Sequence, residues 1–172
     1  EDIEFSVNTV LFFITVQSPM FVVTMFEDIV SPISPKLRLL SISIACGLMA
    51  FFADIYIDRS DFYIIDTFLS FEVVAFVVTV FCLTGAVNAF NLIDGLNGLL
   101  GFSAFSIAIS LGIVTQMLGL QGLSIISLMA AATMAAFLFL NFPFGRIFMG
   151  DTGAYLIGFL LAWIAVITLN AT

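Results

Sequence analysis

Polar residues between two apolar runs, at positions 88–97, give the first sign of chemistry in the sequence. The stretch reads NAFNLIDGLN, and in it Asn88, Asn91 and Asp94 recur every three residues. On a helical turn this spacing places the three side chains along one face. Capping is the alternative, since Asn97 could cap the following helix while Asp94 favours its positive end. A cap alone does not require so many spaced amides and an acid.

A second motif, MFEDIVSPISPKLRLL at residues 25–40, carries two adjacent acids at the end of an apolar run. Neighbouring side chains on a helix diverge by about 100°. Glu27 and Asp28 could therefore serve different partners, one a metal ion and the other a reacting group. A plain pair of charges at the membrane surface is the alternative interpretation.

The third motif, NFPFGRIFMGDTGAYLIGF, covers residues 141–159. Asp151 precedes a glycine-punctuated helix start whose backbone N–H groups could face a ligand. Arg146 adds a fixed positive charge nearby, and Phe148 offers a ring face for stacking. Asp151 could instead be a simple N-cap of the helix.

Together, the three motifs supply four carboxylates, several amides, an arginine and an aromatic ring. The sequence contains no histidine, and hard oxygen ligands without His or Cys favour Mg²⁺ over zinc. Mg²⁺ is usually bound through one or two carboxylates together with substrate phosphates. The residues therefore predict a phosphate or diphosphate substrate, and a nucleotide-activated donor fits this pattern.

The elements that must position these residues are transmembrane helices. Of the 172 residues, 62% are hydrophobic and 9% are charged, with a mean hydropathy of +1.25. A spanning helix needs about 20 apolar residues, and six such runs cover residues 6–26, 37–53, 71–90, a stretch after 94 to 118, 123–140 and a stretch after 151 to 169. Pro19 should kink the first run, and the acidic segment 54–66 should lie on the surface. We predict an all-α, polytopic membrane helix bundle of about six transmembrane helices, forming one domain over residues 1–172.

Basic residues in short loops favour the cytoplasmic side of the membrane. Lys36, Arg38 and Arg146 fall on one side of the predicted bundle, and Arg59 falls on the other. On this topology eight of the twelve acids face outward. The four that face the cytoplasm are those of the three motifs: Glu27, Asp28, Asp94 and Asp151.

With their order and spacing, EDIVSPISPKLRLL, NAFNLIDGLNGL and IFMGDTG resemble the motifs of the polyprenyl-phosphate N-acetylhexosamine-1-phosphate transferases. This family is glycosyltransferase family 4, which also contains phospho-N-acetylmuramoyl-pentapeptide transferase. Within it, the chain looks most similar to bacterial enzymes that use UDP-N-acetylglucosamine in cell-wall, O-antigen and related lipopolysaccharide assembly. The resemblance implies an enzyme that transfers a sugar 1-phosphate, N-acetylglucosamine 1-phosphate above all, from a UDP-sugar to undecaprenyl phosphate, releasing UMP.

The resemblance also implies roles for individual residues. Glu27 and Asp28 match an acidic pair that engages or deprotonates the lipid phosphate, although many members have Asp at the first position. Asp151 matches the magnesium-binding aspartate, with Mn²⁺ as an alternative metal, and Asp94 is a further catalytic candidate. The substrate-binding candidates are Asn91, Leu92 and Asn97 beside the nucleotide pocket, Asn141 and Phe148 at the uracil, and Arg146 at the leaving phosphate. Direct attack and a covalent aspartyl-phosphate intermediate both remain open.

The family has more spans than the six counted here, as well as a histidine-containing loop that this sequence lacks. We therefore expect the chain to be the central portion of a longer enzyme in the bacterial inner membrane, with its site on the cytoplasmic face. Its expected partners are the UDP-sugar, the polyprenyl phosphate and the bilayer; a homodimer is left open and no nucleic acid is expected. A non-catalytic scaffold or degenerate paralogue is the main alternative. A transporter is less favoured, since its acids would lie near mid-span.

Overall fold

The computed structural model describes residues 7–60 and 62–172, which fold into helices without a β-strand in that part of the chain. Six of the helices are long and apolar enough to cross a membrane, and the chain is a multi-pass membrane protein. The predicted all-α bundle of about six spans is therefore confirmed. The helices are α1 (Val7–Ile29), α2 (Pro35–Ala53), α3 (Tyr63–Leu69), α4 (Glu72–Leu92), α5 (Leu99–Met117), α6 (Gln121–Asn141) and α7 (Gly150–Asn170). Residue 6, where the first span was expected to begin, and four outward acids, Glu1, Asp2, Glu4 and Asp61, lie outside the described residues.

Local sequence signals set the ends of α2. The Ser34 side chain accepts a hydrogen bond from the backbone N–H of Leu37, and Pro35 occupies the first turn, where its missing N–H costs nothing. The helix ends at Asp54, which adopts a left-handed conformation with φ of 53°. The signals at Ser34 and Pro35 fix the short turn between α1 and α2.

Two segments show local detail beyond what the sequence suggests. First, α1 runs through Pro19 as one helix, and Ser18 Oγ donates to the Thr15 carbonyl that Pro19 has no N–H to reach. Second, the acidic segment after α2 includes the start of the short helix α3. There the Asp66 carboxylate accepts hydrogen bonds from both the backbone N–H and the hydroxyl of Ser60, each at 2.7 Å.

The helices pack into two groups that share α7. Helices α1, α2, α4 and α7 surround one apolar core, which includes Met20, Ile42, Val87, Phe159 and Trp163. The α5–α6 hairpin packs on the other side of α7 through a core of smaller residues, including Ala104, Ala108, Ala131, Met134 and Leu161. As a result, 56% of the spanning window of α7 is buried, against 17–39% for the other spans.

Because successive spans alternate in direction, six helix ends meet at one end of the bundle, here called the site end. These are the carboxyl ends of α1, α4 and α6 and the amino ends of α2, α5 and α7. At the opposite end, Asn170 Nδ2 donates to the carbonyl of Tyr56. All three polar motifs lie at the site end.

Candidate active site

Asp28, in the last turn of α1, caps the amino end of α7. Its two carboxylate oxygens accept hydrogen bonds from the backbone N–H groups of Asp151 at 3.2 Å and Thr152 at 3.0 Å. Gly150 allows this approach, since its φ is +72° and a Cβ there would lie 3.2 Å from an Asp28 oxygen. The side chain that caps α7 is thus that of Asp28, and the N-cap interpretation of Asp151 is wrong.

Glu27 faces a different neighbour from Asp28, as the divergence of adjacent side chains predicts. Its Oε1 accepts hydrogen bonds from Arg38 Nη2 and, at 3.4 Å, from the backbone N–H of Ile33. Its Oε2 is buried and, among the described residues, has no hydrogen-bond partner. Glu27 therefore holds the α1–α2 turn with one oxygen, while its second, buried oxygen makes no hydrogen bond to the described residues.

Arg38 connects Glu27 to Asp151. Its Nη1 lies 3.5 Å from Asp151 Oδ2, and Asn91 Nδ2 donates to Asp151 Oδ1 at 2.7 Å. The side chains of Glu27, Arg38 and Asp151 are 10%, 23% and 32% exposed. Four helices, α1, α2, α7 and α4, thereby contribute one polar side chain each to a continuous chain of contacts.

A second pair of polar side chains lies one turn deeper between α4 and α7. Tyr155, four residues after Asp151, is fully buried and donates from its hydroxyl to Asn88 Oδ1 at 3.4 Å. The three-residue spacing of Asn88 and Asn91 thus does place both amides on the face of α4 that contacts α7. Capping does not explain either amide.

Asp94 lies beyond the end of α4, in the turn that leads to α5. Its backbone N–H donates to the carbonyl of Asn91 at 3.2 Å. Partial burial raises the pKa of the Asp94 carboxyl above its ordinary value, and the negative charge of Asp151 raises it further. The site therefore holds two acids, Asp94 and Asp151, whose negative charges repel each other.

The carboxylates at the site end are of the ligand type that Mg²⁺ prefers, and a substrate would have to complete the ligand set. No group of three or more Asp, Glu, His or Cys side chains suited to a metal converges within residues 7–60 and 62–172. Asp94 and Asp151 would supply two carboxylates, which is the usual protein contribution to a Mg²⁺ site completed by phosphates. A cation bound here would also offset the repulsion from Asp151 that, after burial, raises the pKa of Asp94.

Asn141 and Asn97 connect the loops at the site end. Asn141 is buried, accepts from the backbone N–H of Gly98 through Oδ1, and donates from Nδ2 to the carbonyl of Ile147 at 2.8 Å. Asn97 Nδ2 donates to the carbonyl of Pro143 at 3.1 Å. Asn97 does not cap α5, whose N-cap residue is Gly98. Both asparagines therefore use their side chains to hold the α6–α7 loop.

The remaining candidates, Leu92, Arg146 and Phe148, have exposed side chains at the site end. The guanidinium of Arg146 lies 5.8 Å from the centre of the Phe144 ring. Within the described residues, the ion pairs at the acids are those of Arg38 and not of Arg146. No hydrogen bond or ion pair of the described residues joins these three side chains to the contacts of Arg38 and Asp151.

The sequence motifs do not single out Arg38 or Tyr155 as site residues, and Arg38 enters only through the bias of basic residues between the loops. One signal for Arg38 is its position in the first turn of a span, eleven residues after Glu27. A signal for Tyr155 is its position one helical turn after Asp151, on the same face of α7. Both signals become informative only once the fold shows that α2 and α7 each pack against α4.

Comparison with known proteins gives a family match over nearly the whole chain and matches to individual relatives over about half to four fifths of it. The profile of glycosyl transferase family 4 matches residues 10–169. Undecaprenyl-phosphate alpha-N-acetylglucosaminyl 1-phosphate transferase of Escherichia coli strain K12 is 35% identical over 146 residues, covering 79% of this chain and 38% of that protein. The protein of the same name from Yersinia pestis is 40% identical over 94 residues, covering 52% and 26%. Phospho-N-acetylmuramoyl-pentapeptide-transferase of Clostridium perfringens strain 13 is 33% identical over 132 residues, covering 76% and 41%. The matches thus span between about a quarter and two fifths of these relatives.

Proposed function

We propose that this chain, which belongs to glycosyl transferase family 4, forms part of an enzyme that transfers a sugar 1-phosphate from a UDP-sugar to a polyprenyl phosphate. The observation that carries the proposal is the continuous contact of Glu27, Arg38, Asp151 and Asn91 at one end of the bundle. The names of the Escherichia coli and Yersinia pestis relatives support undecaprenyl phosphate as acceptor and N-acetylglucosamine 1-phosphate as the transferred group. UMP would be the leaving product.

Asp151 and Asp94 are the residues that would hold Mg²⁺. When bound, the metal would neutralise negative charge on the donor diphosphate. Arg38, with its guanidinium between two acids, adds a fixed positive charge at the same place. Arg146, on the exposed loop before α7, could approach the leaving phosphate from the water side.

Glu27 and Asp28 are the residues proposed to receive the lipid phosphate at the carboxyl end of α1. The unpartnered Oε2 of Glu27 could accept a proton or a hydrogen bond from that phosphate. A lipid phosphate oxygen would then attack the sugar-linked phosphorus in line, forming one P–O bond as the P–O bond to UMP breaks. Because Asp28 also caps α7, it couples the acceptor side of the site to Asp151.

The proposed location is the bacterial inner membrane, with the site end at the cytoplasmic face. Lys36, Arg38 and Arg146 lie at the site end, whereas Arg59 lies at the opposite end. An excess of Lys and Arg in short loops favours the cytoplasmic side. Nucleotide-activated sugars would reach the site from there.

Transfer of label into lipid tests the proposal. The protein in its full natural length, purified in detergent, would receive Mg²⁺, undecaprenyl phosphate and each of several radiolabelled UDP-N-acetylhexosamines. We expect label in the lipid fraction with the wild type, lost with EDTA and reduced by about 100-fold or more by Asp151→Asn. Asp58→Asn, an exposed acid at the opposite end, is the matched control and should retain activity. Folded wild-type protein that transfers no label from any donor would contradict the proposal and favour a scaffold.

A further inference from the structure

We propose that Arg38 and Mg²⁺ compete for the carboxylate of Asp151, and that Arg38, once displaced there, becomes a partner of the donor diphosphate. The inference deepens the proposed function and rests on it for the identity of the metal and the donor. Arg38 thereby has two alternative partners, one before and one after the ligands bind. Glu27 keeps the guanidinium in place during the exchange.

Both oxygens of the Asp151 carboxylate have a partner within the protein. Asn91 Nδ2 donates to Oδ1 at 2.7 Å, and Arg38 Nη1 lies 3.5 Å from Oδ2. A neutral amide can orient a carboxylate while leaving its charge to a metal ion. A guanidinium neutralises that charge instead. A divalent cation on the same carboxylate would therefore meet a second positive charge at close range, and Arg38 would have to withdraw.

The contacts of Arg38 with its two acids are unequal. With Glu27, Arg38 Nη2 forms a hydrogen bond to Oε1, an oxygen that also accepts from the backbone N–H of Ile33 at 3.4 Å. With Asp151 the contact is a longer ion pair of 3.5 Å. The Asp151 side chain is also the more exposed of the two acids, so water screens its contact more strongly. The Asp151 contact is therefore the one that opens, with Glu27 as the pivot.

The Arg38 guanidinium has an unused donor for a new partner. Its Nε is buried and has no hydrogen-bond partner among the residues that the structure describes. Opening of the contact with Asp151 frees Nη1 as well. The planar guanidinium matches the oxygens of a phosphate group. Because the side chain is partly exposed at the site end, a diphosphate arriving there with a metal fits as this partner.

The competition predicts that the metal alone binds weakly. If Arg38 leaves Asp151 free in about one molecule in ten, the apparent Kd for the metal is raised about tenfold. A bound diphosphate removes this penalty, because it takes over the guanidinium. Metal and nucleotide should therefore each tighten the binding of the other.

Titration of the full-length protein with Mn²⁺ in detergent tests the competition, with free Mn²⁺ measured by its EPR signal. We expect Arg38→Met to bind Mn²⁺ about tenfold more tightly than the wild type. Arg38→Lys keeps the charge but has a single nitrogen, which cannot pair with both acids; it should bind Mn²⁺ about threefold more tightly and serves if the methionine variant does not fold. Lys36→Met is the matched control, since it removes an exposed cation at the same end and should change the affinity by less than about twofold.

UDP binding, measured by titration calorimetry at saturating Mg²⁺, gives a second readout. We expect Arg38→Met to bind UDP about tenfold more weakly than the wild type, because a charge-assisted hydrogen bond to phosphate is lost. One substitution thus shifts the two affinities in opposite directions. A merely structural role of Arg38 would weaken the binding of both ligands.

Equal Mn²⁺ affinity of the wild-type and Arg38→Met proteins would overturn the inference, and so would weaker binding of both ligands by the variant. UDP binding that Arg38→Met leaves unchanged would refute the transfer of Arg38 to the diphosphate. Tighter Mn²⁺ binding by the variant, in a protein that binds no UDP and transfers no sugar, would support the competition and contradict the proposed function instead. The two failures are distinguishable because the Mn²⁺ titration requires neither donor nor turnover.

Discussion

Replacing Arg38 with methionine tests whether one cation holds the acids of the site together. Methionine keeps an unbranched side chain and removes the charge. Glu27 and Asp151 would then lose their shared partner while remaining only 10% and 32% exposed. Removing one member of such a pair is costly because the remaining charge stays partly buried.

The separation between Arg38 Nη1 and Asp151 Oδ2 sets the scale of the effect. At 3.5 Å, two unit charges attract each other by about 5 kcal/mol at an effective dielectric constant of about 20. Desolvation and screening offset much of this attraction, because both side chains keep about a quarter to a third of their surface in contact with water. We therefore expect Arg38→Met to reduce the free energy of unfolding by about 1–3 kcal/mol, which lowers the midpoint by roughly 2–10 °C.

Differential scanning fluorimetry in detergent measures this midpoint. Lys36→Met is the matched control, since Lys36 is an exposed cation two residues away and its loss should change stability by about 0.5 kcal/mol or less. Adding Glu27→Gln to Arg38→Met should restore part of the midpoint, because it removes an unpaired charge. An Arg38→Met protein as stable as the Lys36→Met protein would refute the reasoning, and so would a second substitution that lowers the midpoint further.

Three further predictions concern the surroundings of this pair. Because the folded-state pKa of Asp94 is raised, its charge destabilises the fold above that pKa; Asp94→Asn should raise the midpoint at pH 7, and the gain should disappear as the pH falls to the ordinary value. Gly150→Ala should cost about 1–2 kcal/mol because of its left-handed φ and the nearby Asp28 oxygen, whereas Gly85→Ala, in open space within α4, should stabilise the protein; unfolding midpoints of both variants check this. Asn141→Ala should cost about 1–3 kcal/mol, because it leaves a backbone N–H and a carbonyl of two loops unpaired, and proteolysis of the α6–α7 loop should accelerate.

The spans and the polar face of α4 could be predicted because both depend on local sequence. Each span is a run of about 20 apolar residues between polar boundaries, and hydropathy along the sequence is enough to reveal it. The three-residue spacing places Asn88 and Asn91 on one face whatever the surrounding fold. The different partners of Glu27 and Asp28 follow equally from helix geometry.

The contacts that build the site could not be predicted in the same way, because they join residues far apart in the chain. Asp28 caps α7 across more than 120 residues, and only the packing of α1 against α7 reveals it. Asn141 was expected at the uracil, but its partners Gly98 and Ile147 lie in two loops that approach each other only in the fold. Whether Asn141 also contacts nucleotide stays a prediction.

The balance of charge at the site end gives an argument for a metal that is independent of sequence similarity. Four carboxylates, those of Glu27, Asp28, Asp94 and Asp151, lie at the site end with three cations, and in the described chain the ion pairs at that end are those of Arg38 with Glu27 and Asp151. A nucleotide diphosphate is itself anionic, so its approach to this surplus of negative charge would be opposed. A small divalent cation bound by oxygen ligands reverses the sign of the interaction for both the acids and the diphosphate. The excess of carboxylates at the site end therefore supports the proposal that substrate and Mg²⁺ bind together rather than separately.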